Sequence, residues 1–384
     1  MSRTNSRRIR HGKWGKGKLT ALLSAVLFAA AFGTVLGYHL LFLRTGTEAS
    51  LNGGVPSVLV PSEAERYVLS CTEEEAESVD PSVNVITLSF VGDCTIASPY
   101  GHAYFNTFNL MAEEKTPDYF FSQVAPLFLE DDLTVANCEN VFSDDETLAL
   151  RGKNYTPAYW YRGPAKNAAI LSLGGVDAVS IDNNHIMDYL AKGRLDTIAA
   201  LEEAGIDWGD SSRILYYDFY GIRIALCFCS MNVYGYSASA ELLLEEAKTQ
   251  SDFQIIIFHG GSDRSYVTDE GILTECRRLV DLGADLICGH HPHVLQPVQL
   301  YKGVVIMPSL GNFLFGDGWS VKRTAVLQYR IYVKAGEIIS ESCSFLPCYT
   351  NQVRWQPSLI DPVDESEDYY AVLDFLYGQR ETPQ

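Results

Sequence analysis

Five apolar runs of this sequence are each followed by side chains of the types that bind metal ions. These side chains are Asp93 after 83–91, Glu139 after 133–136, Asn184 and His185 after 176–181, His259 after 253–258, and His290, His291 and His293 after 284–288. If the apolar runs are parallel strands, their carboxyl ends lie along the edge at which α/β sheets bind ligands. We therefore expect these groups to converge on one rim.

This donor set predicts a site for two divalent metal ions. Carboxylates offset the charge of the ions, and imidazole and amide groups suit Mn, Fe or Zn better than Ca. Two ions about 3.5–4 Å apart can share one water molecule and lower its pKa. Three histidines within four positions favour metal binding over a chance cluster. Because Gly92-Asp93 alone is typical of a turn and a lone His259 of a buried core, the prediction depends on the whole set.

The segments that carry these residues alternate between short apolar runs and helical patterns. This alternation predicts an α/β domain built from crossover connections. The expected strands are 83–91, 133–136, 176–181, 222–228, 253–258, 284–288 and 304–307, and the expected helices are 118–129, 164–173, 190–204, 238–248 and 269–282. Antiparallel strands are expected within 325–345.

The first 50 residues differ sharply in charge from the rest of the chain. They hold eight of the 29 Lys and Arg residues but one of the 48 acidic residues. Residues 19–43 contain no Asp, Glu, Lys or Arg, and a helix of about 20 apolar residues spans a membrane. Seven basic residues precede this run, so the positive-inside rule places 1–18 in the cytoplasm and the main domain outside the cell membrane. The alternative, a cleaved signal peptide, would have a shorter apolar core.

The remainder of the chain is acidic. Residues 51–384 contain 21 basic and 47 acidic residues, a net charge of −26, which argues against nucleic acid as a partner. Residues 44–82 are polar and show no sustained period, which predicts a linker or stalk. The main domain is predicted at 83–350, and 351–384 is predicted to be a polar C-terminal extension.

Six strings that contain the candidate ligands follow one another between residues 83 and 332. They are Gly92-Asp93, Asn137-Cys138-Glu139, Asn183-Asn184-His185-Ile186-Met187-Asp188-Tyr189, His259-Gly260-Gly261, Gly289-His290-His291-Pro292-His293-Val294-Leu295-Gln296-Pro297 and Ser309-Leu310-Gly311-Asn312-Phe313. Together they resemble the capsule-synthesis protein CapA family of poly-γ-glutamate synthesis and export proteins, which is similar to calcineurin-like metallophosphoesterases. The last two strings are the most specific.

The resemblance implies a metallophosphoesterase-like α/β–β/α sandwich preceded by one transmembrane helix. It also implies that Asp93 binds the first ion, that Glu139 bridges the two ions, and that Asn184 binds the second. The remaining ligands would be His259, His291 and His293, with His290 a competitor for one of these places.

The resemblance further implies that His185 acts beside the ions as a general acid or oxyanion partner. Asp188 lies one helical turn later. It could orient the His185 ring, or it could be an acidic residue at the start of a helix, where the helix dipole favours negative charge. Asn312 follows a strand and is a candidate for the substrate rim. Arg162 is a candidate for binding an anionic substrate. Other nearby basic residues are Arg151, Lys153 and Arg264.

Three residues depart from the family pattern. Gly260 replaces a tryptophan, Cys138 replaces a leucine, and Asp182 replaces an alanine. The missing tryptophan could widen a substrate wall. The added carboxylate of Asp182 could support a ligand or disturb one. The types of ligand are all retained, so the prediction of a metal site is stronger than any prediction of a substrate.

Two functions follow from this resemblance. The first is a cell-surface metal-dependent hydrolase, which acts on a phosphoester or on an amide or ester linkage of an anionic polymer while His185 protonates the leaving group. The second is a non-catalytic metal-binding accessory of a polymer synthase or export complex. A metal closed off by protein ligands would favour the accessory, and open coordination positions would favour the enzyme.

Overall fold

The computed structural model describes residues 39–42, 80–101, 107–154, 158–317, 321–351 and 354–383. Its strands are β1 (His39–Phe42), β2 (Val83–Thr95), β3 (Ser98–Pro99), β4 (Leu133–Cys138), β5 (Val141–Phe142), β6 (Tyr161–Gly163), β7 (Ala178–Ser180), β8 (Asp207–Gly209), β9 (Leu215–Phe219), β10 (Ile222–Met231), β11 (Phe253–Gly260), β12 (Leu286–His290), β13 (Gln299–Tyr301), β14 (Val304–Met307), β15 (Asn312–Phe315), β16 (Arg323–Lys334), β17 (Glu337–Tyr349) and β18 (Ser358–Leu359). Its α-helices are α1 (Phe108–Glu114), α2 (Ala125–Glu130), α3 (Ala169–Leu173), α4 (Leu190–Ala204), α5 (Ala240–Lys248), α6 (Glu270–Asp281) and α7 (Ser366–Leu376), and short 3₁₀ turns cover Pro117–Tyr119 and Ala165–Ala168.

The strands of the described residues form two large sheets. The first sheet has the order β1-β17-β16-β2-β4-β7-β8, with β15 beside β2 and β18 beside β17. Its strands β2, β4, β7, β8 and β15 are parallel, whereas β16 and β17 run antiparallel to their neighbours. The second sheet has the order β13-β14-β12-β11-β10-β9, in which β10, β11, β12 and β14 are parallel. A small third sheet pairs β3, β6 and β5.

The two large sheets pack face to face and carry helices on their outer faces. Side chains alternate between the faces of a strand, so Ile255 and Ile257 of β11 enter the core between the sheets together with Leu88 of β2. Ile256 points to the other face, where α5 and α6 cover the second sheet through residues such as Leu244. Helices α2, α3 and α4 cover the first sheet in the same way. The four layers are those of the expected α/β–β/α sandwich.

The strands extend further towards the candidate site than the apolar runs indicate. The predicted strand 83–91 continues to Thr95, because Asp93 pairs with Asn137 of β4 on one side and with Asn312 of β15 on the other. The predicted helix over 118–129 is instead split into a 3₁₀ turn and α2. Pro126 lies in the first turn of α2, a position that proline tolerates, whereas it would interrupt a helix interior.

The prediction of a polar C-terminal extension is wrong for the part of 351–384 that forms α7. This helix buries Tyr369, Val372, Leu373 and Leu376 in the core between the sheets. These positions are spaced i, i+3, i+4 and i+7, which is the spacing of one helix face. The acidic residues around the helix give the segment a polar composition, but its apolar stripe belongs to the main domain.

The predicted transmembrane segment 19–43 lies outside the described residues except for β1. These four residues pair antiparallel with β17, where the edge of the first sheet offers unpaired backbone groups, so the segment's described end is a strand and not a helix. No helix within the described residues is long and apolar enough to cross a membrane. The predicted anchor remains a prediction, as does the linker, of which only residues 80–82 are described.

Candidate metal centre

The candidate ligands lie where strands of both large sheets end. Asp93 lies near the end of β2, and Glu139 directly follows β4. Asn184 and His185 lie in the turn after β7. The second sheet contributes His259 at the end of β11, and His290, His291 and His293 at and after the end of β12. The facing sheets therefore bring to one place groups that lie up to about 200 residues apart in sequence.

Gly92 allows the backbone to approach closely next to the first candidate ligand. A Cβ atom at this position would lie 2.0 Å from the carbonyl oxygen of Gly311. The adjacent amide of Asp93 donates a hydrogen bond to the same oxygen at 2.8 Å. Because no larger residue fits here, the glycine sets the position from which the Asp93 carboxylate reaches the site.

The first group of donors consists of Asp93, Glu139 and His293, whose ligand atoms lie within 4.8 Å of one another. The Nδ1 atom of His293 is 3.1 Å from Oδ2 of Asp93, and its Nε2 atom is 3.8 Å from Oε1 of Glu139. His293 therefore turns one ring nitrogen to each carboxylate.

The second group consists of Glu139, His259 and His291, and its ligand atoms satisfy the same distance limit. The Nε2 atom of His259 is 3.6 Å from Oε1 of Glu139 and 3.0 Å from Nδ1 of His291. The side-chain oxygen of Asn184 lies 2.7 Å from the same Nε2 atom. Glu139 belongs to both groups, which is the place that a bridging ligand would occupy.

Glu139 shows that these residues fit divalent ions. Its side chain is fully buried, and neither carboxylate oxygen has a hydrogen-bond partner within the described residues. Burial raises the pKa of Glu139 well above its ordinary value, because an unpaired buried charge is costly. The histidine nitrogens around Oε1 lie too far from it for hydrogen bonds. These separations fit ligand atoms that each lie about 2.0–2.2 Å from an ion between them.

The histidines of the turn after β12 have an uncommon backbone conformation. His291 has a φ of 100° and His293 a φ of 58°. Positive φ is uncommon for residues with a side chain and concentrates at functional sites. The turn directs the rings of His291 and His293 into the two donor groups, and we infer that packing around the site maintains this strained geometry.

The ionisation of the ligands reflects how closely they are packed. Burial would raise the pKa of Asp93, but His293 holds it below its ordinary value. Burial opposes the charge on His293, yet Glu139 and Asp93 together raise its pKa to about 10. Burial and the neighbouring His293 lower the pKa of His291 to about 4, and burial and His291 lower that of His259 well below its ordinary value.

His185 lies beside the donor groups and is held by Asp188. The Nδ1 atom of His185 is 2.7 Å from Oδ2 of Asp188, and its Nε2 atom is 3.9 Å from Oε1 of Glu139. Burial lowers the pKa of His185. A carboxylate only accepts hydrogen bonds, so Nδ1 of His185 carries a hydrogen and donates it to Asp188. The contact expected from their spacing is present.

Three further predicted site residues lie outside the two donor groups, as Asn184, His185 and Asp188 do. His290 places its Nε2 atom 3.1 Å from the carbonyl oxygen of Val91, to which it can donate. Asn312 accepts a hydrogen bond from Nδ1 of His293 at 2.9 Å, so it positions a ligand. The guanidinium of Arg162 donates to the carbonyl oxygen of Asp145 and lies over the ring of Tyr189.

The added carboxylate of Asp182 binds groups outside the two donor groups. Its oxygens accept hydrogen bonds from the Ser230 hydroxyl at 2.6 Å and from the Ser211 amide at 2.7 Å. These bonds connect the turn after β7 to the end of β10. These contacts are with the local backbone and with Ser230, and not with a candidate ligand, so they match neither possibility expected for Asp182.

Several site residues escaped the sequence prediction. Asn137 donates to Oδ1 of Asp93 at 2.8 Å and lies 3.2 Å from Nδ1 of His259. Asn183 donates to the side chain of Asn137 at 3.1 Å and accepts from the backbone amide of His185. Both residues stand inside strings that the sequence singles out, so their position was a usable signal. Lys153, whose Nζ atom lies 2.6 Å from Oδ1 of Asp188, had no such signal, because it lies in an irregular segment.

Comparison with known proteins identifies the family of this chain. The family model described as bacterial capsule synthesis protein PGA_cap matches residues 87–317. The PGA biosynthesis protein CapA of Bacillus subtilis is 29% identical over 65% of this chain and 69% of its own length. The capsule biosynthesis protein CapA of Bacillus anthracis is 32% identical over 56% of this chain and 58% of its own length. The chain thus spans about three fifths to two thirds of these relatives.

A solved structure of a phosphatase from Mycoplasma pneumoniae covers 70% of this chain and 94% of its own, with 14% identity and a TM-score of 0.44. This similarity is weak, so the layer order of the sandwich rests on the sheets and cores described above. The family assignment rests on the match over residues 87–317, which includes all the candidate ligands. The chain belongs to the bacterial capsule synthesis protein family PGA_cap.

Proposed function

We propose that this protein is a membrane-anchored hydrolase of capsule or poly-γ-glutamate biosynthesis that acts outside the cytoplasm at a centre of two divalent ions. Its substrate would be a linkage in an anionic cell-surface polymer or a phosphoester. One observation carries the proposal: two groups of metal-binding side chains share the buried, otherwise unpartnered Glu139. The names of the two Bacillus relatives support the polymer context.

The residues of the two groups would hold the ions. Asp93, Glu139 and His293 would bind one, while Glu139, His259 and His291 would bind the other, with the Asn184 amide close by. Two divalent ions of Mn, Fe or Zn, when bound, would lower the pKa of a water molecule and stabilise developing negative charge. The carboxylates of Asp93 and Glu139 would offset part of the cationic charge.

His185 would move the proton of the reaction. Because its Nδ1 hydrogen is donated to Asp188, its Nε2 atom carries the lone pair and faces Glu139. That nitrogen can take a proton from the attacking water and return it to the leaving atom of the substrate, so the proton is conserved in hydrolysis. The ring of Tyr161 packs edge-on against His185 at 4.7 Å between centroids and limits its rotation.

The open donor groups favour catalysis over the accessory role. Structural metal sites are usually closed by four protein ligands, whereas catalytic sites keep a position open. Within the described residues each group has three donors from His, Asp and Glu, and the Asn184 amide would be a fourth only at the second group. The second group borders Asn184, which is exposed. Such a site can admit a substrate.

The proposed location depends on the N-terminal sequence. Seven basic residues precede the apolar run 19–43, and one follows it directly. This asymmetry favours a cytoplasmic N-terminus and an external main domain. A protein so placed would meet a polymer as it emerges from its synthase or export complex.

The test is hydrolysis by the full chain supplied with Mn, Fe or Zn. The substrates are a chromogenic phosphodiester and poly-γ-glutamate, and the variant is His185→Gln, with exposed Lys192→Gln as its control. We expect turnover by the wild type and the control, and a loss of about 10²- to 10⁴-fold in His185→Gln with unchanged metal content. Bound metal without turnover of either substrate would instead support the accessory role.

A further inference from the structure

We propose that Lys153 is a positioning residue, whose buried ammonium group fixes the Asp188 carboxylate against His185 and so directs Nε2 of His185 to the candidate metal centre. The effect on turnover rests on the proposed hydrolase function, but the effect on the His185 ring does not. The sequence alone presents Lys153 as one of several basic residues near the candidate ligands. The structure assigns it a specific place.

Lys153 and Asp188 form a buried ion pair. The Nζ atom of Lys153 is 2.6 Å from Oδ1 of Asp188, and the side chains are 4% and 0% exposed. Lysine is almost never fully buried unless it is paired. Removing charges from water costs several kcal/mol per ion unless the geometry of the pair compensates for it. A buried pair at this position therefore needs an explanation beyond surface charge.

Asp188 also holds the backbone of the segment that carries Lys153. Its backbone carbonyl accepts from the amide of Arg151 at 2.8 Å, and its Oδ2 atom accepts from the amide of Tyr161 at 2.9 Å. Within this segment, the indole of Trp160 donates to the carbonyl of Arg151 at 2.7 Å. The ammonium of Lys153 lies 5.5 Å from the centre of the Trp160 ring. Both ends of the segment are thus fixed to Asp188, one through its backbone carbonyl and the other through its carboxylate.

These contacts determine which carboxylate oxygen of Asp188 accepts the hydrogen bond from His185. Oδ1 of Asp188 faces Lys153, which leaves Oδ2 for Nδ1 of His185 at 2.7 Å. The ammonium lies 3.4 Å from the same Nδ1 atom, but it has no acceptor to offer a ring N–H. The hydrogen on Nδ1 is therefore directed to Asp188. Without Lys153 the carboxylate keeps the Tyr161 amide at Oδ2 but loses the partner of Oδ1, so it can rotate more freely and the ring can bind its hydrogen at either nitrogen.

A purely structural ion pair would anchor the segment without affecting the imidazole. The two roles differ in one observable, the nitrogen of His185 that carries the hydrogen. We suggest recording ¹⁵N NMR spectra of the full chain labelled with ¹⁵N-histidine and loaded with Zn²⁺, a diamagnetic ion. The His185 signal is assigned from its loss in His185→Gln. The variants are Lys153→Met and the conservative Lys153→Arg, and Lys192→Met is the matched control at an exposed ion pair with Asp196.

We expect the wild type and Lys192→Met to carry the hydrogen of His185 on Nδ1. Lys153→Met is expected to shift the signal to the other tautomer or to a mixture, and Lys153→Arg to restore the wild-type signal. An Nδ1 hydrogen that persists in Lys153→Met would overturn the proposal. If thermal unfolding shows that Lys153→Met does not fold, Lys153→Gln takes its place. Its amide is uncharged and one bond shorter than the lysine side chain, so the ammonium is withdrawn from Oδ1 of Asp188 and the same change of tautomer is expected.

Turnover separates this inference from the proposed function. If the wild type hydrolyses a substrate, Lys153→Met should lower kcat by about 10- to 100-fold with little change in KM and with the metal content retained. If Lys153→Met changes the tautomer of His185 but the wild type shows no turnover, the proposed hydrolase activity is overturned and the positioning role of Lys153 is supported. An unchanged tautomer overturns the positioning role whatever the turnover.

Discussion

Carboxylates of this protein that are buried or half-buried differ in what compensates their charge. Glu139 has histidine nitrogens from both sheets around it and no hydrogen-bond partner within the described residues. Asp188 has an ammonium group, a backbone amide and an imidazole. Asp131, away from the metal centre, has the side chains of Ser89 and Gln328. The surroundings of Glu139 suit a cation site, and those of Asp188 suit a group that positions His185. Asp131 is expected to affect stability.

Asp131 gives a prediction about pH. Burial raises its pKa to about 6, so the folded state favours the protonated form. The stability that this group contributes is fully present below its ordinary pKa of 3.8 and is lost as the pH rises through about 6. Asp131→Asn cannot ionise. We therefore expect the variant to gain stability relative to the wild type as the pH rises from 4 to 8.

The expected gain is about 1 kcal/mol, because a shift of about two pKa units would correspond to roughly 3 kcal/mol but solvent screening reduces this for a partly exposed group. Urea unfolding of both proteins at several pH values measures it. Glu130→Gln removes the neighbouring exposed carboxylate and is the control for net charge. A difference between Asp131→Asn and the wild type that does not vary with pH would contradict the prediction.

Residue types allowed the sequence to predict much of the site, but not its conformation. The string from His290 to His293 offers three rings, and the choice of His291 and His293 depends on a turn with positive φ. No local sequence pattern predicts positive φ at residues other than glycine. Lys153 reaches Asp188 across 35 positions of the chain, so only the fold reveals their contact.

At the scale of elements, ligand positions depend on how closely strands and turns approach one another. Strand β2 carries Asp93 between β4 and β15, and the turn before β15 lies against Gly92. The apolar runs predicted where most strands and helices lie, since burial on two faces is visible in the sequence. The strands predicted from these runs stop before the site. The last residues of β2 and β11 are not apolar, and it is their backbone pairing with neighbouring strands that makes them part of the strands.

Gly92→Ala should therefore damage both the fold and the site. Its Cβ would lie 2.0 Å from a backbone oxygen that cannot move without shifting the turn at Gly311. We expect a loss of stability of more than about 2 kcal/mol, typical of steric clashes in a packed core. The measurement is the free energy of unfolding in urea.

Gly152→Ala is the matched control, since a Cβ there meets nothing within 4 Å and its φ is not positive. This control should stay within about 0.5 kcal/mol of the wild type. If Gly92→Ala is as stable as Gly152→Ala, the close approach of β2 to the turn at Gly311 does not hold.

Helix α7 shows the limit of composition as a guide. The segment after 351 is polar on average, and the sequence therefore predicted an extension. The apolar stripe of α7 nevertheless fills the core between the two sheets through Leu373 and Leu376. Periodicity over eleven residues is a better guide than composition here, because one face of a surface helix must be polar.

At the scale of the whole molecule, the sandwich joins two sheets so that their strand ends form one site. The sequence predicted convergence of the strand ends on one rim. It could not show that Asp93 and Glu139 come from one sheet while His259, His291 and His293 follow strands of the other, because pairing between distant strands leaves no local trace. Residues 51–384 carry a net charge of −26, so the anionic substrate that we propose would need a cationic centre to bind.

The most direct measurement is the number of metal ions per chain in the full-length protein after growth and purification with Mn, Fe and Zn supplied. We predict about two ions per chain, and loss from both positions in Glu139→Gln, because both donor groups contain Glu139. Glu337→Gln, at an exposed position, should keep both ions. A wild type that binds one ion or none, or a Glu139→Gln protein that keeps two, would contradict a centre built around this carboxylate.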